Sequence, residues 1–334
     1  MMGSKKLKSL FIPALSVIMV VCAFMLISIT GNNPDNAAKD QLALLQSKPA
    51  ASSLNNQEKI IYFFPENPAP GDFLVIEAAP LENSLPVSLQ FDFPGSCSSQ
   101  YRVAGNFYAL IGISYDTIPG EYEVAIKAND SSAQTNLARA TISIGKKEFQ
   151  VAYFNVPPSA TAGWTAERLA EDREKVRIAR ETSELKPLWL HKFVSPLEAR
   201  VSSEYAAIRY INNNPPRRHN GIDLAADEGT PVVAPNSGIV RLAEYLLSGG
   251  NTVIVDHGLN LSSTYMHLET ITVQSGQKIE RGEQLGTVGM TGYANGPHLH
   301  WEVNINQLPV NPLQLIANDL LWIPPAYVQD MLEN

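Results

Sequence analysis

Gly296-Pro297-His298-Leu299-His300-Trp301-Glu302-Val303 carries the pattern that decides how this chain is read. Gly-Pro leads into an alternating run with apolar and aromatic members, which predicts a β-strand. On a strand, residues i and i+2 project from the same face about 6.5–7 Å apart. His298 and His300 are therefore expected to face one cleft, while Leu299 faces the core behind them. One imidazole of such a pair can ligate a metal while the other stands beside it.

Working outward, two more segments supply matching side chains: His219-Asn220-Gly221-Ile222-Asp223 and Tyr265-Met266-His267-Leu268. Four of the six histidines thus fall in these three segments. Two imidazoles and a carboxylate suffice to hold zinc with its fourth position open to water, and two imidazoles remain for proton transfer. His219 and Asp223 stand four apart, but Asn220-Gly221 is poor helix material. Fully extended, their Cα atoms would lie roughly 13 Å apart, whereas two donors on one zinc lie about 3–4 Å apart. The chain must bend between them, and Gly221 is where a bend costs least. Each fragment alone is unremarkable, since a single histidine is usually a surface or satisfied core residue. His191 and His257 stay in that class, with His257 read as a turn residue in Asp256-His257-Gly258.

The surrounding segment is β-rich from about Lys186. Thr230–Ala234, Gly238–Leu242, Asn251–Asp256 and Leu285–Gly289 read as strands, separated by glycine-marked turns such as Asp227-Glu228-Gly229 and Ser248-Gly249-Gly250. A folded antiparallel sheet is expected. Before it, residues 165–183 form the clearest helix, with interleaved acids and bases and a thin apolar stripe, so solvation alone explains its charges. Residues 59–157 hold short strands at Ile60–Phe64, Phe73–Ile76, Tyr108–Ile113, Tyr122–Ile126 and Ala140–Ile144. Pro70-Gly71-Asp72 and Pro119-Gly120-Glu121 are turns between them, which suggests an immunoglobulin-like sandwich serving as a spacer or binding module.

The chain has 334 residues, enough for two domains. Its 25 basic and 33 acidic residues give a formal net charge of -8, which argues against nucleic acid as a partner. Lys5, Lys6 and Lys8 precede an apolar run over residues 10–29, about long enough to span a bilayer. With no good cleavage site, an uncleaved signal-anchor is favoured over a cleaved signal peptide, and the positive-inside rule exports everything that follows. Cys22 and Cys97 are the only cysteines, which excludes a cysteine-rich zinc site. The expected organisation is an anchor or signal peptide at 1–30, a flexible tether at 31–58, a β-sandwich at 59–157, a helical linker at 158–187, the metal-bearing domain at 188–313 and an appendage at 314–334.

Ser203-Glu204-Tyr205, His219–Asp223, Gly229-Thr230-Pro231-Val232, Gly250–Ile254, Tyr265–Leu268 and Gly292–Glu302, in this order, resemble the catalytic domain of lysostaphin-like (LytM-type) zinc endopeptidases of bacterial peptidoglycan. The resemblance runs from Ser203 to Pro312. It implies that His219, Asp223 and His300 are the ligands of one Zn²⁺, and that His267 and His298 are the catalytic pair. It also implies hydrolysis of cross-bridge or stem peptides by a metal-activated water, in an extracytoplasmic protein. Membrane contact through the N-terminus and a protein partner of the sandwich complete the expected partners. The rival reading is a catalytically silent wall-binding protein, or an activator of another wall hydrolase. The complete set of five residues argues for the enzyme. One departure stands out: Ala206 occupies a position where the family usually has glycine.

Overall fold

The computed structural model describes residues 60–317, except positions 66, 80–86, 104–105, 130–133, 156–160, 190 and 213. The expected anchor, the tether and the chain after residue 317 lie outside the described residues. No described helix is long and apolar enough to cross a membrane.

The fold is mainly β. Before the long helix run β1 (Ile60–Phe64), β2 (Phe73–Ala79), β3 (Val87–Phe91), β4 (Gly95–Cys97), β5 (Tyr101–Val103), β6 (Asn106–Ile113), β7 (Gly120–Asn129), β8 (Gln134–Ile144) and β9 (Val151–Phe154). Helix α1 spans Ala166–Glu181. After it come β10 (Arg200–Ser203), β11 (Ile208–Ile211), β12 (Arg217–Arg218), β13 (Ile222–Ala225), β14 (Pro231–Val233), β15 (Gly238–Leu246) and β16 (Gly250–Asp256). The chain continues through β17 (Leu261–Ile271), β18 (Lys278–Ile279), β19 (Gln284–Val288), β20 (Leu299–Ile305), β21 (Leu308–Val310) and the short helix α2 (Pro312–Ala317).

In the first segment, an antiparallel sheet ordered β1-β2-β6-β4 and a second ordered β3-β7-β8 enclose a common core. Leu74, Ile76, Ile111 and Ile113 from one sheet meet Val124, Ile126, Ile142 and Ile144 from the other. Their alternation along each strand follows the two-residue period of the pleat.

The second segment is built on a large antiparallel sheet whose main path runs β10-β13-β20-β17-β16-β15-β18. Leu299, Trp301, Val303 and Ile305 alternate along β20 and are fully buried, so this strand lies in the core of the sheet. The core beneath it also recruits Phe73 and Leu110 from the first segment. Gln314 on α2 exchanges two 2.7 Å hydrogen bonds with the backbone of Phe73, sealing that contact. The first segment is thus docked on the second through shared core and buried hydrogen bonds. Strand β9 adds a further link, pairing in parallel with β11 across α1.

Helix α1 starts at Thr165, whose side chain accepts from Arg168 N, the capping that a threonine N-cap provides. It is more than a solvated connector. Val176 and Ala179 pack on Leu242, Leu246 and Ile254 of the sheet, and buried Asp172 accepts the backbone N–H of Leu247 at 2.7 Å.

Candidate metal centre

Register places the first contacts. Asp223 on β13 sits directly opposite His300 on β20, and His300 is in turn opposite Met266 on β17. His219 lies just before β13. The chain bends at Gly221 as its position suggested, yet the reason for glycine there is space: a Cβ would lie 2.3 Å from the carbonyl oxygen of Trp301. His219 Nε2, Asp223 Oδ1 and His300 Nδ1 meet at 3.0 Å, 2.9 Å and 2.8 Å.

The tautomers follow from the outer bonds. His219 Nδ1 lies 2.8 Å from the carbonyl of Glu204, which only accepts, so the ring donates there and Nε2 carries the lone pair. His300 Nε2 lies 3.0 Å from Glu302 Oε1, which leaves the lone pair on Nδ1. Two lone-pair nitrogens and a carboxylate oxygen therefore converge on one point. Three acceptors so close repel one another unless a proton or cation lies between them. Tetrahedral zinc with ligands at about 2.0–2.1 Å places its donors roughly 3.3 Å apart, close to the spacing present. The donor set fits a divalent cation of that kind.

The charges around it agree. Burial acts against the Asp223 carboxylate, but the imidazoles of His219 and His300 beside it hold its pKa far below the usual range. Burial likewise opposes a charged His300, and hydrogen bonds to Asp223 and Glu302 outweigh it, raising the pKa to about 9. Burial pushes His219 down. A metal bound here would take the place of any proton shared among these ligand atoms.

The other two imidazoles stand alongside. His267 and His298 have ring centroids 4.8 Å apart, and His267 is 6.0 Å from His300. His298 Nε2 reaches 3.8 Å from Asp223 Oδ1. Each ring is fixed by a carbonyl on its far side: His267 Nδ1 to Thr291 at 2.9 Å, and His298 Nδ1 to Gly296 at 2.7 Å. Both therefore donate backwards from Nδ1, which leaves Nε2 as the nitrogen free of that contact. Burial, with repulsion from His300 and His298, pushes His267 down to about 3. His267 has φ +64° at an irregularity of β17, where the register shifts against β16. Such bulges re-aim a side chain.

The structure thus gathers all five expected residues. His191 and His257 stay apart from them. His257 is fully buried, with Nδ1 on the Ser237 carbonyl and Nε2 on Ser263 Oγ. The sequence reading missed four contributors. Glu302 was discoverable, because it continues the 298-300-302 alternation. Thr291 and Glu204 act through backbone carbonyls, for which a sequence holds no mark. Arg209 donates to Asp223 Oδ2 and to Ser203 Oγ at 2.7 Å, from a strand that only the fold brings near. Ala206 is buried at φ +60°, a left-handed conformation that costs a residue with a Cβ about 1–2 kcal/mol and explains why glycine suits the position. A cleft of about 780 Å³ leads to the centre, lined by His267, His300, Arg173, Arg217, Trp164 and Tyr293.

The sheet, the His-Asp-His cluster and the paired imidazoles together define a metallopeptidase domain. Residues 217–312 match Peptidase family M23, so the chain carries a domain of that family. A Haemophilus influenzae protein called an uncharacterized metalloprotease is 40% identical over 126 residues, 35% of this chain and 25% of that protein. The peptidoglycan DD-endopeptidase ShyA of Vibrio cholerae is 41% identical over 96 residues, 29% of this chain and 22% of ShyA. The chain spans about a quarter of the length of these curated relatives. A crystal structure from Pseudomonas aeruginosa assigned to peptidase M23 superposes with a TM-score of 0.54 at 27% identity, covering 75% of this chain and 94% of that one.

Proposed function

We propose that this protein is an exported zinc endopeptidase that hydrolyses peptide bonds in bacterial peptidoglycan. The observation that carries the reading is the convergence of three acceptor atoms beside two imidazoles anchored through Nδ1. His219, Asp223 and His300 would hold one zinc ion per chain. When bound, zinc polarises a carbonyl and brings the pKa of a water toward about 7.

The rest of the chemistry belongs to the side chains. Between them, His267 and His298 would take the proton of the attacking water at one Nε2, and the ring that then carries it would hydrogen-bond the developing oxyanion and pass the proton to the leaving amine. Their Nδ1–H groups stay on the carbonyls of Thr291 and Gly296, so neither ring needs to flip during the cycle. The relatives named as peptidoglycan endopeptidases support the substrate class, and peptidoglycan lies outside the cytoplasm. The apolar run at 10–29 is read as the export signal and anchor, and residues 59–157 as an immunoglobulin-like sandwich.

The test incubates purified full-length protein with peptidoglycan, with and without a chelator, and measures zinc content and newly formed amino termini. About one zinc per chain and chelator-sensitive cleavage are expected. Protein that binds zinc but releases no new amino termini would instead make it a wall-binding or activating protein.

A further inference from the structure

We propose that Arg180, on helix α1 and outside the family-matched segment, is a positioning residue for the metal site. It acts through Glu302 on His300, and the inference rests on the metal reading above. Arg180 Nη2 donates to Glu302 Oε2 and, at 3.1 Å, to Thr264 Oγ1, whose residue faces Glu302 across the β17–β20 pair. The other oxygen of Glu302 accepts from His300 Nε2 at 3.0 Å, and the opposite nitrogen of that ring is the inward donor. The guanidinium is therefore three links from the position of the ion.

Burial makes the chain consequential. The side chains of Arg180 and Glu302 are 11% and 6% exposed. A carboxylate at this depth needs a cationic partner, and removing one member of such a pair leaves an uncompensated charge. Arg180 satisfies one oxygen from the helix side, which fixes the carboxylate plane and aims the other oxygen at the imidazole. That bond holds the His300 tautomer with its lone pair on Nδ1. Partners of this kind typically contribute 10–100-fold to metal affinity.

The helix does not depend on Arg180 for its place. Val176, Ala179 and the bond from Leu247 N to Asp172 hold it on the sheet. An Arg180 variant should therefore keep the helix docked while losing its grip on Glu302. Metal affinity in this chain is then partly supplied by a segment that the family match, residues 217–312, leaves out.

The experiment measures the zinc dissociation constant of the full chain by chelator competition, with no substrate present. It compares wild type, Arg180→Met, Arg180→Lys, Glu302→Gln and the Arg180→Met/Glu302→Gln double variant. Arg180→Met is expected to weaken zinc about 10–100-fold. Arg180→Lys should recover part of that loss, and the double variant should bind no more weakly than Glu302→Gln alone. Zinc affinity of Arg180→Met within twofold of wild type, with only thermal stability changed, would reduce Arg180 to a structural ion pair. Equal, additive losses in the double variant would likewise break the proposed route. A wild type that binds no zinc overturns the metal reading itself and this inference with it. Zinc binding without peptidoglycan cleavage overturns only the activity.

Discussion

Gly250 offers a sharp test of how the site is held. It has φ +64°, and a Cβ there would lie 2.2 Å from Thr291 Oγ1 and 2.4 Å from the Thr291 carbonyl group. Thr291 is the hub behind His267: its carbonyl fixes the ring, while its hydroxyl joins Asn251 N at 2.9 Å and Leu268 O at 2.8 Å. Gly250→Ala therefore incurs two penalties. The left-handed conformation costs about 1–2 kcal/mol, and forcing backbone apart in a packed region costs about 1–3 kcal/mol. The expected destabilisation is about 2–5 kcal/mol, a fall in urea midpoint of roughly 1–2 M at the slopes usual for small domains. Gly276→Ala is the control, since Gly276 has φ +87° with nothing near its missing Cβ. It should show the conformational part alone, about 1–2 kcal/mol. At a urea concentration where both variants are folded, Gly250→Ala should also lose cleavage rate more than zinc affinity, because Thr291 orients His267 rather than a candidate ligand. Equal destabilisation of the two variants would refute the steric argument. Unchanged cleavage in Gly250→Ala would refute the role given to Thr291.

His300→Ala is expected to abolish zinc binding, whereas His298→Ala should retain zinc and lose hydrolysis; metal analysis beside a muropeptide assay separates them, and equal zinc loss would contradict the division of roles. Stripping the metal with a chelator should stop cleavage and lower thermal stability, and restoring zinc to about 100 times its dissociation constant should return about 2.7 kcal/mol. Burial holds the fully buried His257 below its usual pKa, so the unfolded chain takes up a proton that the folded one refuses. Its contribution to stability is therefore complete above about pH 6.5 and falls by about 1.4 kcal/mol per unit as pH drops below that. The stability gap between wild type and His257→Gln, followed by urea titration from pH 7.5 to 5, should shift with this slope in favour of the variant, and a pH-independent gap would contradict it.

Much of the site was legible because strand alternation is strict. His298 and His300 had to share a face, and Leu299 had to face the core, where it is fully buried. The bend between His219 and Asp223 was legible too once both were taken as ligands, because an extended chain would hold them too far apart. What stayed hidden depended on contacts between distant segments. Strand β9 pairs with β11 across the whole of α1, and neither strand's own sequence records its partner. The same holds for Arg180 and Arg209, whose charges look like ordinary solvated ones until the fold buries their partners. Ala206 was visible as a departure from the family pattern, but its left-handed backbone was not. Phe73 and Leu110 were placed only on strands of the first segment, yet they fill the core of the other.

That last arrangement bears on how the molecule can be rearranged. A recombinant cassette cut to residues 217–312 would leave behind Phe73, Leu110, helix α1 and strands β9 to β11. It would expose apolar surface at one end and strip Asp223 and Glu302 of their arginines at the other. Transplanting this catalytic unit onto a new carrier thus requires the preceding segment as well, so the smallest portable piece is much larger than the region by which relatives recognise one another.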